Sequence, residues 1–264
     1  MNSDPNQIPQ EKKLYDDSHT IISGIINRQF YNSIGEEGFK IIAGYIREIN
    51  AKTAFDLGSG NGNAAMWFAE NCGLNIFGIE PLPVLFNQAL HSIKEHGLSD
   101  RIQFENRDFY TASFEGRPPF DVVLGIDTFC YFSDRRDLIS RIQSLLRDGG
   151  RILFTDLVIE EPHPAATIYF KKYNLAVPLR FDEYRKLFQD LGFTELKFEL
   201  ITPRFLAHWS DVNGRVLKLK NEIVSATNEA AFLSYLNSTE IILSGIKDGK
   251  VGYVMGVMQK RDAQ

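Results

Sequence analysis

Ala54-Phe55-Asp56-Leu57-Gly58-Ser59-Gly60-Asn61-Gly62-Asn63-Ala64-Ala65-Met66-Trp67 is the stretch that decides the fold. The apolar run Thr53 to Leu57 reads as a buried strand. Three glycines at alternate positions follow it, and then an apolar helical pattern, Ala65, Met66, Phe68 and Ala69. Strand, glycine turn and helix in this order open an α/β nucleotide-binding unit. The glycines let the chain turn tightly and leave no Cβ between backbone and ligand. The helix start contributes unpaired N–H groups and the positive end of a dipole. Asp56, at the strand end, either orders the turn or takes a ligand's positive group. The spacing excludes two familiar alternatives. A dinucleotide fingerprint needs a third glycine at position 63, where Asn63 stands, and a phosphate-cradling loop needs a lysine that is not there.

Outward from this stretch the chain alternates. On its N-terminal side, Ile21, Ile22, Ile25 and Ile26 predict an amphipathic helix over about 17–30, and Glu36 to Ile49 a second one. Between them, Phe30 to Gly35 is either a turn that packs aromatics on the sheet or a lid carrying Tyr31 over a cofactor. On the C-terminal side, strands are expected at Asn75–Glu80, Arg101–Asn106, Phe120–Ile126, Arg151–Val158, Phe193–Leu200 and Val251–Gln259. Helices are expected at Val84–His96, Arg136–Leu146 and Asp182–Leu191, with a tight turn at Asp148-Gly149-Gly150. This pattern predicts an α/β fold with a mainly parallel sheet covered on both faces. Two stretches, Glu160–Arg180 and Pro203–Gly249, interrupt the alternation and read as caps over the carboxyl ends of the strands. The expected organisation is N-terminal helices and lid over 1–50, a core over 51–200, and a helical cap with a final core strand over 201–264.

Composition narrows the function classes. The chain has 264 residues, 44% hydrophobic and 24% charged, with net charge −5 and no lysine or arginine block. Nucleic acid and anionic membrane are therefore not expected partners. No apolar run approaches the roughly 20 residues of a membrane span, and Met1 to Lys13 is polar, without a signal pattern. Cys72 and Cys130 sit in apolar contexts without metal-ligand spacing, as buried thiols of a reducing compartment do. Together these point to the cytoplasm. Of the five histidines only His91 and His96 lie near each other in sequence, at a spacing poorly co-facial on a helix, so no metal site is expected. Nothing in the sequence assigns an oligomeric state.

Glu80 lies eighteen residues beyond Gly62, at the end of the second strand. A carboxylate there can accept from both hydroxyls of a ribose, or stand as a solvated strand-end acid; its place relative to the glycine loop favours the ribose. Asp108-Phe109 ends the third strand, Phe120-Asp121-Val122-Val123 begins the fourth, and Leu146-Arg147-Asp148-Gly149-Gly150 precedes the fifth. In this order and spacing the signatures resemble those of the class I S-adenosylmethionine-dependent methyltransferases, with Asp148 where proline is usual. The resemblance implies a Rossmann-like, seven-stranded, doubly wound sheet with an N-terminal helical lid and a C-terminal helical insertion before the last strand. It implies S-adenosyl-L-methionine as cofactor, held by Tyr31, Asp56, Gly58, Ser59, Gly60, Gly62, Glu80, Pro81, Asp108, Phe109 and Ile126.

The helical N-terminus with Tyr31-Asn32-Ser33-Ile34-Gly35 and the insertion before Gly252-Tyr253 look like the branch of phosphoethanolamine and sarcosine/dimethylglycine methyltransferases. That branch commonly carries a histidine base after the fourth strand. In Asp127-Thr128-Phe129-Cys130-Tyr131-Phe132-Ser133 the aligned position is Tyr131. Tyr131 and Asp127 are the candidate catalytic residues. Tyr131 would orient a nucleophile, offer a π-face to a cation, or pack beneath the lid; Asp127 would accept from ligand or cap a helix. Tyr15, Tyr169, Tyr173, Arg180 and Trp209 are the candidate substrate residues, with Lys171 and Lys172 either binding an anionic group or forming a solvated face. The expected reaction is methyl transfer to nitrogen or oxygen of a small molecule. Its rivals are an O-methyltransferase of a larger aromatic scaffold and a non-catalytic cofactor-binding module.

Overall fold

The computed structural model describes residues 18, 21–22, 25–26, 33–161, 164, 166–167, 170 and 175–262. Seven strands form one sheet: β1 Thr53–Leu57, β2 Asn75–Ile79, β3 Ile102–Glu105, β4 Phe120–Ile126, β5 Leu146–Ile159, β6 Phe193–Leu200 and β7 Val251–Lys260. Their order is β3-β2-β1-β4-β5-β7-β6. Neighbours from β3 to β5 pair parallel, and β7 pairs antiparallel with both β5 and β6. The order reverses between β1 and β4, and ligands of such sheets bind in the crevice at that reversal. The expected α/β, Rossmann-like seven-stranded sheet is the one observed.

Helices α1 Gly35–Glu48, α2 Asn63–Cys72 and α3 Pro83–Glu95 pack with one face of the sheet. Helices α4 Arg135–Leu145 and α5 Phe181–Asp190 cover the other. Local sequence explains their ends. Gly62 and Gly73, both at positive φ, bracket α2. The Asp134 carboxylate accepts the Asp137 N–H at 2.9 Å to start α4. The cap comprises α6 Thr202–Lys218, α7 Lys220–Ala226 and α8 Glu229–Lys247. Pro203 lies in the first turn of α6, where its missing N–H costs nothing, and the Asn228 side chain caps α8 through Ala231 N–H at 2.8 Å.

A separate apolar cluster joins the cap to the N-terminal segment: Ile22 and Ile26 pack with Val212, Val216, Ile223, Phe232 and Tyr235. Ser18, Ile21, Ile22, Ile25 and Ile26 are helical, as the spacing predicted; the other residues of the expected 17–30 helix, and Tyr15 and Tyr31, lie outside the described residues.

One expectation is corrected. Asp148-Gly149-Gly150 is not a turn before a strand but an irregularity inside β5, which already begins at Leu146. Leu146 pairs with Phe120, and Arg151 is the partner of Val122, so the intervening residues loop out. Asp121 fastens this loop. Its carboxylate accepts from Arg147 Nε at 2.5 Å and from the Lys52 and Thr53 N–H groups at 2.7 and 2.9 Å. Partial burial pushes its pKa up, but these donors hold it below the usual carboxylate range.

The sheet has little spare room at its glycines. A Cβ on Gly256 of β7 would stand 2.1 Å from Phe154 Cε1. Phe154 is itself stacked on Phe129 and Phe188 at 5.0 Å between centroids. Gly256→Ala is expected to destabilise the protein by about 1–3 kcal/mol through overpacking, read as a lower denaturant midpoint at unchanged slope.

Candidate active site

A cavity of about 490 Å³ opens at the carboxyl ends of β1, β2, β4 and β5, and residues of α6, α8 and β7 complete its lining. The glycine loop makes one wall. Ser59 N–H donates to the Ile79 carbonyl at 3.0 Å, tying the loop to β2. Gly58, Gly60 and Gly62 all have positive φ. A Cβ on Gly60 would meet nothing within 4 Å, so its backbone borders open space. Gly58 backs onto Thr128, whose Cγ2 would lie 2.6 Å from an added Cβ. Gly62 is outside the lining; an added Cβ there would meet Ala89 and Phe104. It caps α2 and packs closely against α3.

Glu80 is 4% exposed. Its Oε2 accepts the Gly60 N–H at 2.8 Å and its Oε1 the Leu82 N–H at 2.9 Å. A carboxylate has about four acceptor positions and can serve hydroxyls as well as N–H groups. Asn106 Nδ2 holds the Glu80 carbonyl at 2.7 Å. Asp56 is buried at the bottom of the cavity wall, and its Oδ2 has no hydrogen-bond partner. Burial pushes its pKa up to about 7. An orphaned carboxylate oxygen in such a place suits a ligand ammonium. Asp108 is exposed and uses Oδ1 to accept the Tyr110 N–H at 2.8 Å, which orders the turn after β3. Phe109 is buried in an aromatic cluster with Phe55, Phe114 and Phe132. Pro81 and Ile126 also line the cavity.

At the end of β4, Asp127 has φ +57°. Its Oδ2 accepts the Ser33 N–H at 2.7 Å; its Oδ1 accepts Thr155 Oγ1–H at 2.8 Å and a short bond from Ser33 Oγ. Ser33 Oγ is in turn within a short hydrogen bond of the Tyr253 hydroxyl, and Tyr253 donates to Thr155 at 3.1 Å. Burial raises the Asp127 pKa and these donors lower it, leaving it above the ordinary value. With both oxygens engaged, Asp127 anchors the N-terminal segment to β4, β5 and β7. Beneath it, Asp156 is paired with Arg135 at 3.1 Å and accepts from the Tyr184 hydroxyl at 3.1 Å. Burial raises the Asp156 pKa to about 6 against the pull of Arg135.

The cap contributes Phe205, His208 and Trp209 from α6 and Tyr235, Thr239 and Leu243 from α8. Trp209, expected at the substrate, is in the lining and packs near Phe205 at 6.0 Å between centroids. Tyr131 is also in the lining and 57% exposed. Arg180 is not; it precedes α5, where its N–H donates to Glu183 at 3.3 Å. Tyr15, Tyr31, Tyr169, Tyr173, Lys171 and Lys172 fall outside the described residues. Among the described residues, no group of three potential metal ligands converges, and the cavity lining holds five acidic residues and no lysine or arginine. Sequence reasoning missed Ser33, Thr155 and Tyr253 as site-forming residues; the Tyr-x-Ser-x-Gly and Gly-Tyr segments were their only local signals.

A methyltransferase-domain family model matches residues 54–150. Phosphoethanolamine N-methyltransferase 3 of Arabidopsis thaliana is 30% identical over 175 residues, covering 64% of this chain and 34% of that protein. The sarcosine/dimethylglycine N-methyltransferase of Aphanothece halophytica is 24% identical, covering 75% of this chain and 71% of that protein. Phosphoethanolamine N-methyltransferase 2 of Haemonchus contortus, solved with phosphomonomethylethanolamine and S-adenosylhomocysteine, superimposes with a TM-score of 0.83 at 19% identity. That match covers 97% of this chain and 61% of the solved one. The chain thus spans about a third of the length of the plant relative, and its fold is that of class I methyltransferases. The likeness to the phosphoethanolamine and sarcosine/dimethylglycine enzymes expected from the motifs is met.

Proposed function

We propose that this chain transfers the methyl group of S-adenosyl-L-methionine to a nitrogen or oxygen of a small-molecule acceptor. The observation that carries the reading is the orphaned Asp56 oxygen, in one cavity with the Glu80 carboxylate that the Gly60 and Leu82 N–H groups hold in place. The likeness to named N-methyltransferases supports it. Glu80 would hold the ribose, Asp56 the ammonium, and the open backbone side of Gly60 would let the cofactor lie close. Pro81, Asp108, Phe109 and Ile126 would border the base and its ribose.

The cofactor supplies an activated methyl on a sulfonium, so the protein has little covalent work to do. It must hold the acceptor atom about 3–3.5 Å from the methyl carbon, in line with the carbon–sulfur bond. It must also exclude water. The cap helices α6 and α8 and the Ser33 segment, fastened by Asp127 and Tyr253, would enclose that space. On this reading 51–200 is the cofactor-binding core, 1–50 the lid, and 201–264 the acceptor cap with the final strand. The net charge of −5 supports a small-molecule acceptor over nucleic acid. Among the described residues no helix is long and apolar enough to cross a membrane, which is compatible with a cytoplasmic enzyme.

Calorimetry with S-adenosylmethionine and S-adenosylhomocysteine tests the reading. Saturable binding of both is expected, followed by transfer of a labelled methyl to members of an amine and phenol panel. Absence of binding overturns the proposal. Binding without transfer to any panel member leaves the cofactor-binding module in its place.

A further inference from the structure

We propose that His208 of α6 is the group that takes the acceptor's proton for methyl transfer. The inference rests on the methyl-transfer reading above and names the base that reading leaves open. A phenolic hydroxyl or an alkylammonium acceptor holds its proton with a pKa of about 10. It becomes a nucleophile at neutral pH only if a neighbouring group accepts that proton.

The described residues at the β4, β5 and β7 side of the cavity are poorly placed to do so. Asp127 already accepts from Ser33 on one oxygen and from Ser33 and Thr155 on the other. Asp156 is ion-paired with Arg135 and accepts from Tyr184 and from the Leu157 N–H. Burial pushes the Cys130 thiol far up, and its Sγ lies 3.6 Å from the Asp127 carbonyl as donor. The Tyr253 phenol donates to Thr155. Tyr131 is a more than half-exposed phenol, and an ordinary phenol is a weak base at neutral pH.

His208 differs on each count. It lines the cavity and is only partly exposed. Its Nδ1 is 4.0 Å from where a Cβ on Gly35 would stand, so the ring reaches across to the start of α1. Neither ring nitrogen has a hydrogen bond among the described residues, whereas a structural histidine is usually fixed by one. Trp209 stands edge-on at 6.0 Å, and its own buried indole N–H is unpaired. Burial, with Arg215 on the same helix, holds the His208 pKa below 6.5 against the opposing pull of Asp211. The imidazole is therefore neutral near pH 7 and presents one free lone pair. From the other elements of the cavity the titratable groups are Asp56, Glu80, Asp108, Asp127 and Asp156, with Cys130, Tyr110, Tyr131, Tyr235 and Tyr253.

The step balances. His208 takes the proton of an ammonium acceptor before transfer, which frees the nitrogen lone pair, or the proton of a phenol as transfer proceeds; the acceptor atom forms a bond to the methyl carbon and the carbon–sulfur bond breaks with its electron pair on sulfur. The imidazolium then releases that proton to solvent.

The test uses the full chain, His208→Gln and His208→Asn, with dimethylethanolamine and 2-naphthol as probes. Circular dichroism and S-adenosylhomocysteine calorimetry confirm that each variant is folded and loads normally. For a methylated probe, kcat is expected to fall about 100-fold or more in both variants with KM unchanged, and the acid limb of the pH profile to vanish. Independently of turnover, the His208 nitrogen-15 signals of the S-adenosylhomocysteine complex are expected to shift on adding that probe. A retained acid limb, near-native kcat in the variants, or ring signals that do not respond overturns the proposal. If the native chain binds no cofactor, or loads it but methylates neither probe, the methyl-transfer reading for these acceptors has failed and the proposal falls with it. Turnover with an indifferent His208 sinks the proposal alone.

Discussion

Glu80→Ala is expected to weaken S-adenosylmethionine binding by roughly two to three orders of magnitude, measured by calorimetry. Hydrogen bonds to a charged group contribute about 1.5–3 kcal/mol each, and a ribose would make two of them to this carboxylate. The same side chain accepts from Gly60 and Leu82, so its loss also leaves two loop N–H groups without their partner. The glycine loop then keeps the Ser59 N–H bond to Ile79 but loses its second tie to the end of β2. Glu80→Gln separates the two effects. Its amide oxygen can serve one N–H or one hydroxyl, but its amide nitrogen repels the other donors, so a smaller loss is expected, about tenfold. A change of less than tenfold for Glu80→Ala would remove Glu80 from the ribose site.

These residues were legible in the sequence because the physics that fixes them is local in the chain. The run from Thr53 to Met66 carries strand, turn and helix signals in order, and Glu80 follows at the end of the next strand. Strand order in such a sheet then brings the two ends side by side. The Ser33–Asp127–Tyr253 cluster is a different case. Its members lie 94 and 220 residues from Ser33, and only the insertion of β7 between β5 and β6 brings Tyr253 to the β4 edge. No short pattern encodes that approach. Gly62 shows that a motif glycine can also be required by packing: an added Cβ there would meet Ala89 and Phe104. Asp148 to Gly150 read as a strand boundary because glycine pairs punctuate chains, whereas pairing of Leu146 with Phe120 starts the strand before them. His208 was legible only as a cap residue that, with Trp209, could line an acceptor pocket, because which side of α6 faces a cavity depends on how α6 packs on α8 and β7.

Asp56 carries the second large effect, and here binding and stability oppose each other. Its carboxyl has an ordinary value of 3.8 and is pushed up to about 7 by burial. Between those values the folded chain holds a proton that the unfolded chain has lost. Stability is therefore fully present below about pH 4 and declines as pH rises to about 7, by on the order of 4 kcal/mol from this group. Asp156, raised to about 6, adds to the decline in the same direction, so the native chain alone cannot isolate Asp56. The difference between the native chain and Asp56→Asn can. Urea unfolding of the cofactor-free proteins at about pH 5 and about pH 8 is expected to show the variant gaining stability relative to the native chain as pH rises. The same substitution is expected to weaken S-adenosylmethionine binding about 10- to 100-fold, because an amide cannot pair with a desolvated ammonium. Cofactor binding to the native chain should release a proton near neutral pH, visible as a buffer-dependent binding heat, and the variant should lose it. A variant that binds as tightly as the native chain would mean that the orphaned oxygen serves the fold and not the ligand. An unchanged stability difference across the pH range would mean that Asp56 is hydrated in the free protein. A buried charge that destabilises the empty chain and is neutralised by its ligand makes the affinity of this site depend on pH through the protein's own protonation.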